Sequence, residues 1–319
     1  MKRARKIIAT CFCLFLSTVV GCEQSSSNGP QFAFVINVPG RFWDIAHAGC
    51  QRAAREVGAE VVFQVPGDST AAQQKQIVED LISKGIDGLA ISPLSPDSIA
   101  RLLDQAGERF PVICQDSDAP NSRRMCYICT DNVAFGRKQG ELLKEALPDG
   151  GQIAIFVGKM DVANARERHQ GVVEALEGSN ITVVETFTDN ASRPRARSNV
   201  LDALIKYPDL KGVVGLWGYN APQAVNAMKD HIDRELVIVG ADEDIETFQA
   251  VRDGKMYASV AQRPFEFGYQ SIKMLMKLHQ GESVEIPEDK MIFVPTYVIK
   301  PDNASELEQE IEGYLKELK

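Results

Sequence analysis

Two short stretches carry the residues best suited to chemistry. Residues 112–118, VICQDSD, and 237–244, VIVGADED, each run from apolar, largely β-branched side chains straight into carboxylates. A run such as Val112-Ile113-Cys114 suits a strand in the middle of a parallel sheet, covered on both faces. An unpaired carboxylate is costly in such an interior, so Asp116 and Asp242 belong at strand ends, where hydrogen-bond donors can reach them. In open α/β sheets the carboxyl ends of strands face the ligand crevice. Two such ends facing one another make a two-walled polar site.

The elements that must hold these ends follow from hydrophobic periodicity. Strand-like runs at 32–38, 61–65, 88–91 and 112–114 alternate with helical patterns at 44–58, 69–84 and 95–107. A further strand is expected at 125–129, and Thr130-Asp131-Asn132 marks a crossing into a second set of units. That set has strands at 153–157, 182–187, 213–216, 236–239 and 257–260, with helices at 163–177, 193–207, 222–231, 245–253 and 265–279. The apolar stretch 291–299, interrupted by Pro295, suits a strand passing between lobes. The tail 305–318 is amphipathic, with Ser305 and Glu308 spaced as a capping box, and is expected to pack on the C-terminal lobe. Alternation at this period predicts an α/β protein of two doubly wound parallel-sheet lobes joined by a hinge. The expected division is residues 31–130 with 263–291 for the N-terminal lobe, and 131–262 with 292–319 for the C-terminal lobe. The two halves resemble each other in architecture rather than in residues.

A chain of 319 residues can bury the cores of two such lobes, and 44% hydrophobic with 25% charged residues is ordinary for a globular protein. The N-terminus stands apart. Lys2, Arg3, Arg5 and Lys6 precede an apolar run at 7–20 that suits a signal peptide and is too short for a membrane anchor. It ends in Val19-Val20-Gly21-Cys22, which resembles the bacterial lipobox, where the cysteine is acylated and becomes the new N-terminus. An ordinary cleaved signal with a chance cysteine is the competing account. The expectation is a lipoprotein signal at 1–21, lipid on Cys22 and a Gly/Ser-rich tether over 22–30. Removing residues 1–21 takes away four basic side chains and no acidic one, so the net charge moves from −9 to −13. Such a protein repels nucleic acid and anionic lipid, so contact with the membrane is expected through the lipid anchor alone. Of the remaining cysteines, Cys126 and Cys129 have a zinc-like spacing, but no second pair or nearby histidines complete a site. Residues three apart on a strand point to opposite faces, and buried free thiols fit better.

Enzyme signatures are missing. The chain has no GxGxxG, no GxxxxGK[ST], no HExxH and no GxSxG, and its four histidines all fall in or at the ends of expected helices. No catalytic residue, metal or cofactor is implied. A hydrolase using Asp116 and Asp242 as a carboxylate pair is the one enzymatic alternative, since their separation is a matter of structure.

A binding site uses more of the sequence. Phe42 and Trp43 fall between the first strand and the first helix, where aromatic faces suit the C–H faces of a sugar ring. Asp116 and Asp242 can each accept two neighbouring hydroxyls. Arg168 lies near the start of a helix that follows a strand; Trp217, Tyr219 and Asn220 follow another strand end, and Gln262 a third. Each has a plainer alternative: Trp43 in the core, Asp242 as a helix N-cap, Arg168 in a surface ion pair. Together, all at strand C-termini, they make a site.

The chain from Gln31 to about Asn303 resembles the type I periplasmic sugar-binding proteins, the ribose- and galactose-binding group that shares its fold with lactose-repressor-type regulators. The resemblance rests on GRFWDIAHAG, GIDGLAISP, VICQDSDA, TDNVAFGRKQG, ARERHQG, VIVGADED, AVRDGKMYASVAQ and FVPTYVI, in this order and spacing. It implies sugar contacts from Phe42, Trp43, Asp116, Arg168, Asp242 and Gln262, and from the loop at Trp217, Tyr219 and Asn220, where the alignment shifts by a residue or two. Ribose binders place an arginine where this chain has Ser117, and an asparagine where it has Gly40; the calcium loop of galactose binders is absent. Lobe and cleft therefore transfer, and ribose as ligand does not. The resemblance implies a monomeric, lipid-anchored periplasmic or cell-envelope protein that takes a monosaccharide or polyol by hinge closure. It would deliver that ligand to an ABC transporter permease. A sensory protein presenting its ligand to a receptor kinase or chemoreceptor is the alternative. A transcriptional regulator would need a DNA-binding helix-turn-helix where this chain has its signal segment.

Overall fold

The computed structural model describes residues 29–229 and 234–318. The signal segment, Cys22 and most of the tether lie outside the described residues, as does the expected helix end at His231. The first half runs β1 (Gln31–Val35), α1 (Arg41–Val57), β2 (Glu60–Gln64), α2 (Ala71–Lys84), β3 (Gly88–Ile91), α3 (Pro96–Gly107), β4 (Val112–Gln115) and β5 (Tyr127–Cys129). Next come α4 (Asn132–Ala146), β6 (Gly151–Val157), α5 (Ala163–Leu176), β7 (Ile181–Thr188), α6 (Arg193–Lys206) and β8 (Leu210–Gly215). They lead to α7 (Asn220–Met228), β9 (Val237–Ala241), α8 (Ile245–Arg252) and β10 (Ala258–Ala261). The chain closes with α9 (Pro264–His279), β11 (Met291–Phe293), β12 (Tyr297–Ile299) and α10 (Ala304–Lys316).

These strands form two six-stranded sheets, ordered β11-β5-β4-β3-β1-β2 and β12-β10-β9-β8-β6-β7. Strand for strand the order is the same, so β4 and β9 hold equivalent places. Every pairing is parallel except β10 with β12. The chain passes between sheets after β5, returns after β10 and crosses again between β11 and β12. Pro295 sits in that last crossing, where a missing N–H breaks no ladder. The third crossing therefore falls after Phe293, rather than after Met291.

Each sheet is covered on both faces, as near-continuous apolar strands require. Phe32, Phe34 and Ile113 face one layer of the first lobe, while Val35, Leu89, Val112 and Cys114 face the other. Cys126 and Cys129 lie in these opposite layers, and all four described cysteines are buried free thiols. In the second lobe α4 and α5 meet at glycine. A Cβ on Gly136 would lie 1.9 Å from the carbonyl oxygen of Arg168, a distance no side chain permits. This close approach seats Arg168 between α4 and the ends of the strands.

The tail helix differs from expectation at its start and in its reach. Asn303 is the N-cap of α10 and makes no side-chain cap, so the Ser305–Glu308 capping box does not form; Glu308 instead pairs with Arg252 of α8. Ala304 and Ile311 bury in the core of the C-terminal lobe. The far end crosses to α1, where Glu312 meets Arg41 at 2.8 Å, and Glu317 pairs with Arg52 and with Arg55 at 2.6 Å.

Candidate ligand-binding site

Asp116 and Asp242 follow the last residues of β4 and β9, and both adopt φ 61°. That left-handed conformation is uncommon outside glycine and is tolerated by aspartate because its short side chain bonds locally. The surroundings repeat as well. The Asp116 N–H donates to the Ile128 carbonyl at 3.1 Å, and the Asp242 N–H to the Val260 carbonyl at 2.8 Å. Each aspartate carbonyl accepts a hydroxyl from the next strand, Tyr127 Oη at 2.5 Å and Ser259 Oγ at 2.9 Å. Two lobes thus hold one aspartate each in the same uncommon conformation, which recurs where a function sustains it.

The carboxylates are only partly committed. Asp116 Oδ2 accepts from Ser92 Oγ at 2.9 Å, Asn37 Nδ2 at 3.3 Å and Ser117 Oγ at 3.3 Å. Asp242 Oδ1 accepts from Gln262 Nε2 at 3.0 Å. Asp116 Oδ1 and Asp242 Oδ2 have no protein donor among the described residues. Three donors thus crowd one oxygen of Asp116 and leave the other without a protein donor among the described residues. Of the neighbouring carboxylates, Asp118 is held by Arg124 through two points, one of them 2.6 Å long, while Asp244 occupies the N-cap position of α8 without a side-chain cap bond and lies 3.9 Å from Arg193. The N-cap alternative for Asp242 therefore does not hold.

Arg168 lies in α5, only 3% exposed, rather than in a surface ion pair. Its Nε donates to Asn132 Oδ1 at 3.0 Å, its Nη1 to the Leu216 carbonyl at 2.8 Å, and the guanidinium stands 4.0 Å over the Phe135 ring. Nη2 has no protein acceptor among the described residues. Burial lowers the Arg168 pKa, and the charges of Asp242 and Asp116 oppose that shift. Burial raises the Asp116 pKa; the Ser92 bond and the Arg168 charge counter it, and Asp242 adds to it. Asp116 of one lobe is thus in the field of Arg168 and Asp242 of the other. A direct contact joins the lobes at the same level, Thr130 Oγ1 donating to Gln262 Oε1 at 2.8 Å.

Trp217, Tyr219 and Asn220 form a supported wall. The ring of Trp217 lies over Gly158, where a Cβ would come within 1.9 Å of it, so only glycine leaves room. Trp217 Nε1 donates to Asn164 Oδ1 at 3.2 Å, and its backbone N–H to Asn220 Oδ1 at 3.0 Å. Asp189, 1% exposed at the end of β7, accepts from Tyr219 Oη at 2.5 Å and Asn220 Nδ2 at 2.9 Å. Burial raises the pKa of both Asp189 and Tyr219, and the bond to Asp189 raises that of Tyr219 further.

Phe42 and Trp43 lie in the first turn of α1, not between strand and helix, because the helix begins at Arg41. Trp43 is 4% exposed, packed in the first-lobe core, with Nε1 donating to Asn37 Oδ1 at 3.0 Å. Phe42 is half-buried, with its ring 4.9 Å from that of Trp43 and nearly perpendicular to it. Phe42 is the more exposed of the two, packed on Trp43 and 6.0 Å from the Phe267 ring of α9. Asn37, Ser92, Thr130, Asn132 and Asp189 were not visible as site residues in the sequence. Four of them lie just beyond a strand and Asn132 is the first residue of α4, and that position was the only signal available.

A family model of the periplasmic binding protein domain matches residues 32–283. The D-allose-binding periplasmic protein of Escherichia coli is 28% identical over 86% of this chain and 93% of its own length. The ribose import binding protein of Haemophilus influenzae is 25% identical over 89% of this chain and 98% of its own. Among solved structures, an ABC transporter solute-binding protein from Burkholderia graminis C4D1M in complex with D-arabinose superposes with a TM-score of 0.80. It is 29% identical, covering 87% of this chain and 97% of that one. With the family model spanning residues 32–283 and two lobes of equal topology, this chain belongs to the periplasmic binding proteins.

Proposed function

We propose that this protein captures a neutral monosaccharide or similar polyol between its lobes and delivers it to an ABC import permease, performing no chemistry on it. The observation that carries this is the pair Asp116 and Asp242. They stand at equivalent left-handed strand ends, each with one oxygen engaged and the other without a protein donor among the described residues, and Arg168 lies in the field of both. Such carboxylates accept hydroxyl hydrogen bonds, Arg168 Nη2 donates one, and Phe42 with Trp217 offers apolar ring surface. Contacts from both walls favour the closed lobe arrangement, so the ligand shifts the hinge equilibrium by its differential affinity for that form. The sugars named for the relatives, ribose, D-allose and D-arabinose, set the size class. The protein acts as a monomer in the cell envelope, tethered by lipid on Cys22.

A thermal-shift screen over pentoses, hexoses and polyols, followed by calorimetry, tests this. A saturating ligand at about a hundred times its Kd stabilises by about 2.7 kcal/mol, well within detection. No shift with any member of the three classes overturns the proposal.

A further inference from the structure

Asn37 lies two residues beyond β1, half-buried, and no ligand contact has been assigned to it. All of its side-chain capacity is used at once. Oδ1 accepts from the Trp43 indole N–H at 3.0 Å and from the Val38 backbone N–H at 2.6 Å. Nδ2 donates to Ser92 Oγ at 3.0 Å and to Asp116 Oδ2 at 3.3 Å, and Ser92 Oγ in turn donates to the same Oδ2 at 2.9 Å. The orientation of the amide is fixed by chemistry. An indole N–H and a backbone N–H only donate, and an ionised carboxylate only accepts. The flipped amide would set donor against donor and acceptor against acceptor. No other side chain of this size meets both demands: aspartate offers no hydrogen to Asp116, and leucine or alanine satisfies neither.

We infer that Asn37 is a positioning residue of the site, one amide that locks the Trp43 ring with its oxygen and the presented face of Asp116 with its nitrogen. This rests on the cleft being the ligand site proposed above. Because Phe42 packs edge-on against Trp43, the lock also sets the aromatic surface relative to the carboxylate. The first lobe therefore meets its ligand as one prearranged unit, and fewer rotamers are frozen on binding.

Asn37→Ala and Asn37→Asp separate the two halves of the lock. Asn37→Asp keeps an acceptor for the indole but places a second carboxylate against Asp116. The other charges acting at Asp116 are those of Arg168 and Asp242 across the cleft, and wild type measured at the same pH removes their contribution. Titration uses whichever of D-ribose, D-allose and D-arabinose wild type binds, with Asp116→Ala alongside. Indole 15N–1H resonances are recorded without sugar. Asn37→Ala should shift the Trp43 indole resonance and lower affinity at least about tenfold. Asn37→Asp should keep that resonance, lose affinity at pH 7 and regain it toward about pH 5, where a shared proton restores the donor.

If Asn37→Ala leaves the indole resonance in place, the inference is overturned whether or not a sugar binds. If Asn37→Ala binds as wild type does while Asp116→Ala does not, the inference fails and the site stands. If Asp116→Ala also binds normally, the site itself fails. Equal losses in both Asn37 variants with no recovery at low pH mean that Asn37 only supports the fold. Should Asn37→Ala not fold, Asn37→Asp decides alone by its resonance and its recovery at low pH.

Discussion

Replacing Asp242 separates its ligand contact from its backbone conformation. Asp242 gives one oxygen to Gln262 and, among the described residues, keeps Oδ2 without a protein donor, at φ 61°. A hydrogen bond to a charged group contributes about 1.5–3 kcal/mol, so losing one lowers affinity by about 10- to 100-fold. The backbone responds differently to each substitution. Asparagine and glycine accept the left-handed conformation, whereas alanine there costs about 1 kcal/mol of stability without ligand. Asp242→Asn, Asp242→Gly and Asp242→Ala should therefore share the affinity loss; glycine and alanine both lose the Gln262 bond, so the backbone cost appears as alanine melting earlier than glycine by about 2–4 °C at this domain size. Calorimetric titration and melting of the apo proteins give both numbers. If Asp242→Asn and Asp242→Gly bind as tightly as wild type, the carboxylate makes no bond to the ligand. The two-walled site is then refuted.

Cys22→Ser should move the protein from the detergent-rich to the soluble fraction; a wild type already soluble removes the anchor. Purified protein incubated with its sugar should return it unchanged, and turnover beyond one equivalent would establish an enzyme. Glu243 is 3% exposed, its Oε2 has no donor among the described residues, and burial with Asp242 and Asp244 raises its pKa well above the usual carboxylate range. Its folded-state pKa exceeds its unfolded one, so its stabilising proton is fully held below the ordinary glutamate range and lost as pH rises through the folded value. Glu243→Gln should accordingly gain in melting temperature over wild type as pH rises from about 5 to 8. A difference that stays constant with pH argues against a proton on Glu243.

Local periodicity decides a great deal here, because strands buried on both faces and helices buried on one leave different spacings of apolar residues. That is why the alternation, the crossing at Thr130–Asn132, the Pro295 break and the placement of Asp116 and Asp242 at strand ends could all be read from the chain. Pairing between distant segments is not encoded in such spacing. Asn37 meets Asp116 across 79 residues, Thr130 meets Gln262 across 132, and Asp189 takes Tyr219 and Asn220 from another loop. Only the register of parallel strands brings these polar atoms within reach. Helix starts are equally poorly marked by composition: α1 begins at Arg41 instead of Asp44, which puts Trp43, 4% exposed, in its first turn. The left-handed backbone at both aspartates belongs to the same class. The sequence determined which groups stand at the sheet ends; the tertiary structure decided which of their atoms are already bonded and which remain for a ligand.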